Sequence, residues 1–205
     1  MKKTISWILV LILSLCLVNT AFAGTSTESS RSSGNGNQNL AQQINSLPPF
    51  KFNIHKNGIG YGNCPVYTAP DLDAYRCANG KASCQTNAKM DDAGYVSGWL
   101  LVRYETTKGQ YRVGYIPPKY VRNFKSQMSP HFGYIPVTAD DYILVTDNPL
   151  SHTGSFAQLE PGESFIILSR YNYYAKNGFD WLYIQCTVDN QVACGFIEYD
   201  LSKFH

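Results

Sequence analysis

The chain has 205 residues, with 17 Lys plus Arg against 15 Asp plus Glu, and 14% of its side chains are aromatic. That near balance leaves little basic excess to neutralise a phosphate backbone, which argues against nucleic acid as the main partner. After the first 23 residues no apolar stretch approaches the roughly 20 residues a helix needs to span a bilayer, so no membrane span is expected beyond that point.

The N-terminus reads as an export signal over residues 1–23. Lys2 and Lys3 precede an apolar run from Ile5 to Val18, and Ala21 and Ala23 supply the small-x-small pattern of a cleavage site before Gly24. The run covers 14 residues, too short for a transmembrane anchor. Cys16 follows Leu15, where a lipid-attachment site needs a small residue, so no lipid anchor is expected. Cleavage removes Lys2 and Lys3 from the 17 basic residues, leaving 15 against 15 acidic ones. The expected location is outside the cytoplasm: periplasmic, secreted or cell-wall associated.

Residues 24–48 are rich in Ser, Thr, Gly, Asn and Gln, a composition that buries too little apolar surface to offset the entropy of ordering. A disordered leader is expected there. Leu40, Ile44 and Leu47 hint at one or two helical turns, stopped by Pro48 and Pro49.

Beyond the leader, short runs of Val, Ile, Tyr, Trp and Phe are punctuated by Gly, Pro, Asn and Asp, the pattern of an all-β chain. These runs repeat. Cys64-Pro-Val-Tyr-Thr-Ala-Pro70 matches Ile143-Leu-Val-Thr-Asp-Asn-Pro149, and Gly98-Trp-Leu-Leu-Val-Arg-Tyr104 matches Asp180-Trp-Leu-Tyr-Ile-Gln-Cys186. Closing strands follow at Tyr111-Arg-Val-Gly-Tyr-Ile-Pro117 and Gln191-Val-Ala-Cys-Gly-Phe-Ile197. Trp99 precedes Gly114 by 15 residues and Trp181 precedes Gly195 by 14. Three matches in one order mark two copies of one module, over 59–125 and 135–205. The short linker from Arg122 to His131, holding Pro130, predicts a restrained pair.

The order of elements resembles bacterial SH3 domains. The first copy carries the likeness in Gly98-Trp99-Leu-Leu-Val102, Lys108-Gly109 and Val113-Gly114-Tyr115-Ile116-Pro117; the second carries it in Trp181-Leu-Tyr-Ile184 and Gly195-Phe196-Ile197. The second copy departs in having Asp180 before its Trp, Glu198 where Pro would follow, and an insertion-like segment from Tyr171 to Phe179. The resemblance implies two tandem small β-barrels, and a closed barrel would remove exposed sheet edges. Gly114 and Gly195 belong where backbones approach closely. Strand alternation sends Leu100 and Val102 to one face against Trp99 and Leu101, and Leu182 and Ile184 against Trp181 and Tyr183.

Five cysteines survive cleavage. Cys77 and Cys84 flank the turn signal Asn79-Gly80, and Cys186 and Cys194 flank Asp189-Asn190, so a hairpin disulfide is expected in each copy. Cys64 is left as a buried thiol or as a replacement for one member of the first pair.

No enzyme is expected. His55, His131, His152 and His205 lack metal-ligand spacing, neither a metal nor a cofactor is implied, and no catalytic residue is assigned. Asp91-Asp92 and Asp140-Asp141 read as solvated loop residues. Aromatics carry the functional expectation: Tyr171, Tyr173, Tyr174, Phe179 and Trp181 in the second copy, and Tyr67, Tyr75, Tyr95 and Trp99 in the first. Aromatic faces edged by amides suit sugar rings or extended peptide. With tandem copies that gain avidity on a polymer, the expected ligand is cell-wall peptidoglycan. The alternative is an envelope protein met by an inhibitor, immunity or assembly factor, for which Tyr and Trp are the usual anchors.

Overall fold

The computed structural model describes residues 33–49, 51–55, 63–84, 90–107, 109–121, 124–147, 149, 154–172 and 180–205. The predicted signal peptide, the leader ahead of residue 33, and Tyr173, Tyr174 and Phe179 lie outside them.

The alternating Val-, Ile- and Tyr-rich runs form strands that fall into two sets with the same order. The first set is β1 (Asn53–His55), β2 (Cys64–Pro65), β3 (Ser83–Cys84), β4 (Met90–Val96), β5 (Trp99–Thr107) and β6 (Gln110–Ile116). The second is β7 (Ile135–Thr138), β8 (Ile143–Val145), β9 (Ala157–Leu159), β10 (Ser164–Asn172), β11 (Asp180–Val188) and β12 (Gln191–Glu198). Each set makes an antiparallel four-stranded sheet, β1-β4-β5-β6 and β7-β10-β11-β12, plus a two-stranded ribbon, β2-β3 and β8-β9. All-β architecture is thus as expected, with the first sheet beginning at Asn53, ahead of residue 59. Among the described residues neither sheet closes into a barrel.

The equivalence extends to single residues. Tyr67 bridges Tyr115 through backbone bonds of 3.0 and 2.7 Å, and Thr146 bridges Phe196 through bonds of 2.9 and 2.7 Å. Beside each bridge lies a glycine that cannot be replaced in place. A Cβ on Gly114 would stand 2.5 Å from a Val66 methyl, and one on Gly195 would stand 2.6 Å from a Val145 methyl. These are the close approaches anticipated for both glycines. The fourth strand of each set also carries a bulge at the same place, between Asp92 and Gly94 in β4 and between Ile167 and Ser169 in β10. The extra residues, Ala93 and Leu168, are both buried.

Three cores follow from strand alternation. Leu100, Val102 and Tyr104 of β5 face a core with Val66, Met90 and Ile116. Leu182, Ile184 and Cys186 of β11 face another with Val137, Val145 and Phe165. The opposite faces of the two sheets bring Leu101, Val113 and Tyr115 together with Tyr171, Trp181, Tyr183 and Phe196 in a third core common to both. Tyr183 donates to the Tyr115 hydroxyl at 3.2 Å inside it, and Arg103 donates to the Tyr171 hydroxyl at 3.3 Å. The seam is stitched by backbone bonds as well, from the Tyr75 N–H to the Val192 carbonyl (2.9 Å) and from the Val113 N–H to the Asp147 carbonyl (2.8 Å).

Three expectations need correction. The leader is not disordered throughout: Ser33–Ser46 form α1, whose Leu40 and Ile44 are buried in the core under the second sheet. Spacings of four and three residues from Leu40 through Ile44 to Leu47 put these apolar groups on one helical stripe, which outweighs the polar composition around it. Asp91 and Asp92 are not solvated but buried in β4. Asp91 takes the Arg103 guanidinium, with Nε at 2.8 Å, and Asp92 takes the Ser126 hydroxyl.

Nor do the two hairpin disulfides form, since all five described cysteines are buried free thiols. Cys186 pairs in register with Ala193 and Cys194 with Gln185. The one-residue offset sends the two sulfurs to opposite faces of the sheet. Cys84 instead stands opposite Cys64 across the β2-β3 ribbon, while Cys77 turns away towards Asp147. No helix among the described residues is long and apolar enough to cross a membrane.

Candidate functional site

The sheets decide where each predicted aromatic goes. Trp99 and Tyr67 meet edge to face at 5.3 Å against the common core, with the Arg76 guanidinium 5.0 Å from the Tyr67 ring. Tyr171 is buried there too, its ring 5.3 Å from Phe196. Tyr95 packs beside the first core and donates to the Phe124 carbonyl at 2.7 Å. Tyr171 is thus buried in the core common to the two sheets, while Tyr67, Trp99 and Tyr95 are half-buried against the cores. Tyr75 and Trp181 remain at cavities.

Trp181 lines a cavity of about 300 Å³ in the second half. β8 supplies part of its wall by alternation: Ile143 and Val145 turn into the core while Leu144 stands 60% exposed. Tyr142, 53% exposed and held by its N–H on the Asp141 carboxylate at 2.8 Å, continues that apolar lip. Trp181 itself is only 6% exposed, so it serves as floor and not as lip. Lys203 and Glu198 give this groove one charge of each sign.

Tyr75 lines a second cavity, of about 320 Å³, on the seam between the halves. The segment Gly154–Ser155 forms part of the wall of both cavities. Tyr75 stacks on Phe156 at 5.5 Å, and Tyr111 lies on another side. The polar groups are Arg112 from β6, Asp147 from the loop after β8, and Cys77. Nε of Arg112 stands 3.6 Å from the Asp147 carboxylate. Burial raises the Asp147 carboxyl above its ordinary value, and Arg112 and the Cys77 thiol pull it back. Burial pushes the Cys77 thiol far up, and the neighbouring Asp147 charge pushes it further, so Cys77 stays protonated and donates to the carboxylate.

The rim of this cavity is strained. Ala78 (φ 56°) and Asn79 (φ 53°) both sit in the left-handed region ahead of Gly80 (φ 77°), where a residue with a Cβ costs about 1–2 kcal/mol. Arg76 holds the turn by donating to the Ala82 carbonyl at 2.6 Å and to the Val66 carbonyl at 3.3 Å. Asn79-Gly80 is therefore a turn, as its sequence implies, but not the tip of a hairpin joining Cys77 to Cys84.

Sequence reasoning missed Tyr142, Leu144, Arg112 and Asp147. One signal was present for Asp147. In the repeated segment it occupies the position of Thr68, so a charge appears in one copy where a neutral hydroxyl stands in the other. Among the described residues no group of three or more His, Cys, Asp and Glu is placed to hold a metal ion. No family model, no curated protein and no solved structure matches the chain.

Proposed function

We propose that this chain is an exported, non-catalytic binding protein whose two halves are SH3-like modules, and that it engages peptidoglycan in the periplasm or at the cell wall. The observation that carries this reading is the groove of the second half. An exposed tyrosine and leucine edge a tryptophan floor, with a lysine and a glutamate beside them. Such a lining offers apolar area to a sugar face or an extended peptide and charged groups to its polar substituents. The repeated strand order and the signal-like N-terminus support the same reading.

The test is co-sedimentation of the mature chain with purified sacculi, beside a Tyr142→Ser/Leu144→Ser variant. Both side chains are exposed, so the variant should fold. Each loses about 1.5 kcal/mol or more of apolar contact with ligand, so the pair should weaken binding at least about tenfold. Saturable wild-type binding that the variant loses supports the reading. Absence of wild-type binding to sacculi of several wall chemistries removes it.

A further inference from the structure

The seam cavity has features that the wall-binding reading does not use. It brings one cationic and one anionic side chain from different halves of the chain side by side on its wall, as a loose ion pair. Their separation of 3.6 Å is longer than a hydrogen bond, so neither group is consumed by the other. Arg112 has five N–H donors, and that ion pair engages it only loosely. Asp147 accepts the Cys77 thiol and keeps further acceptor capacity. Its backbone is fixed, because its carbonyl accepts the Val113 N–H at 2.8 Å, one residue along β6 from Arg112. The two charges are thus held across the seam by the sheets and not by the ion pair.

The remaining walls set the size and the polarity. About 320 Å³ is the low end of small-molecule sites, with room for roughly ten waters at about 30 Å³ each. Tyr75 stacked on Phe156 supplies an apolar shelf, and the strained Ala78-Asn79 turn closes the rim. Strain of that kind persists only where surrounding structure enforces it, and it clusters at ligand clamps.

We propose that this cavity binds the zwitterionic head of an α-amino acid, Arg112 taking the carboxylate and Asp147 the ammonium, with the side chain against Tyr75 and Phe156. A ligand with only one of the two charges would gain charge-assisted hydrogen bonds at only one of the two groups, which is the source of selectivity. The inference stands apart from wall binding, and its test uses soluble ligands only.

The experiment is an NMR titration of the folded chain with glycine, D-alanine and L-alanine, and with N-acetylalanine and alaninamide as single-charge controls. At least one amino acid should give saturable shifts at Ala78, Asn79 and Val113. Each control should bind at least about tenfold more weakly, as expected for one lost charged hydrogen bond. Arg112→Gln, on a half-exposed strand position, should abolish the shifts, and Tyr142→Ala should leave them intact. The proposal is overturned if none of the three amino acids gives saturable shifts there. It is equally overturned if the controls bind as well as alanine, or if folded Arg112→Gln retains full binding.

Discussion

Burial holds Cys84, Cys186 and Cys194 up to about 12 from an ordinary 9.0, with Cys64, Glu163 and Cys186 respectively as nearby contributors. Cys77 is raised further still. The linkage has a definite sign. Below pH 9.0 both folded and unfolded chains keep these protons, so the stability is fully present. Above it the unfolded chain releases them and the folded chain does not, so stability falls with rising pH until the folded thiols titrate near 12. Each thiol contributes about 1.4 kcal/mol per pH unit in that window. Urea unfolding of the reduced protein from about pH 8 to pH 11 should show a plateau and then a steep decline. Replacing Cys186 and Cys194 by Ala should flatten the decline; a stability that stays level to pH 11 contradicts it.

At the scale of elements, α1 makes the sharpest prediction. Its sequence contains Gly34, Gly36 and four Asn, a poor helix in isolation, so tertiary burial must supply most of its stability. Ile44 is fully buried, and Ile44→Ala should cost about 2–5 kcal/mol, read as a lowered urea midpoint with an unchanged slope. A loss below half a kilocalorie would mean the helix does not dock as described. The strands were far more legible than this helix. The two faces of β5 and β11, the close approaches at Gly114 and Gly195, and the turn at Asp189-Asn190 (φ 50° and 62°) all follow from alternation and turn chemistry. Register was not legible: a one-residue offset between Cys186 and Cys194 is invisible without the pairing, and it decides whether a disulfide can form.

At the scale of the whole molecule, the decisive unread fact is that β5 and β11 are apolar on both faces because the two sheets share a core. Trp99, Tyr67 and Tyr171 look like free surface aromatics when each module is imagined alone, yet all three pack against the core that the second sheet completes. The same packing creates the seam cavity, whose charges come from positions 35 residues apart in the chain. It also leaves the Trp181 groove facing outward on the second half, with Tyr142 and Leu144 uncovered.

The most direct measurement is an NMR map of soluble peptidoglycan fragments titrated into the mature chain. The account predicts saturable shifts at the Leu144 and Tyr142 amides and the Trp181 indole, absent in the Tyr142→Ser/Leu144→Ser variant. Saturable binding with those signals unmoved, or no binding to fragments of any wall chemistry, would contradict it.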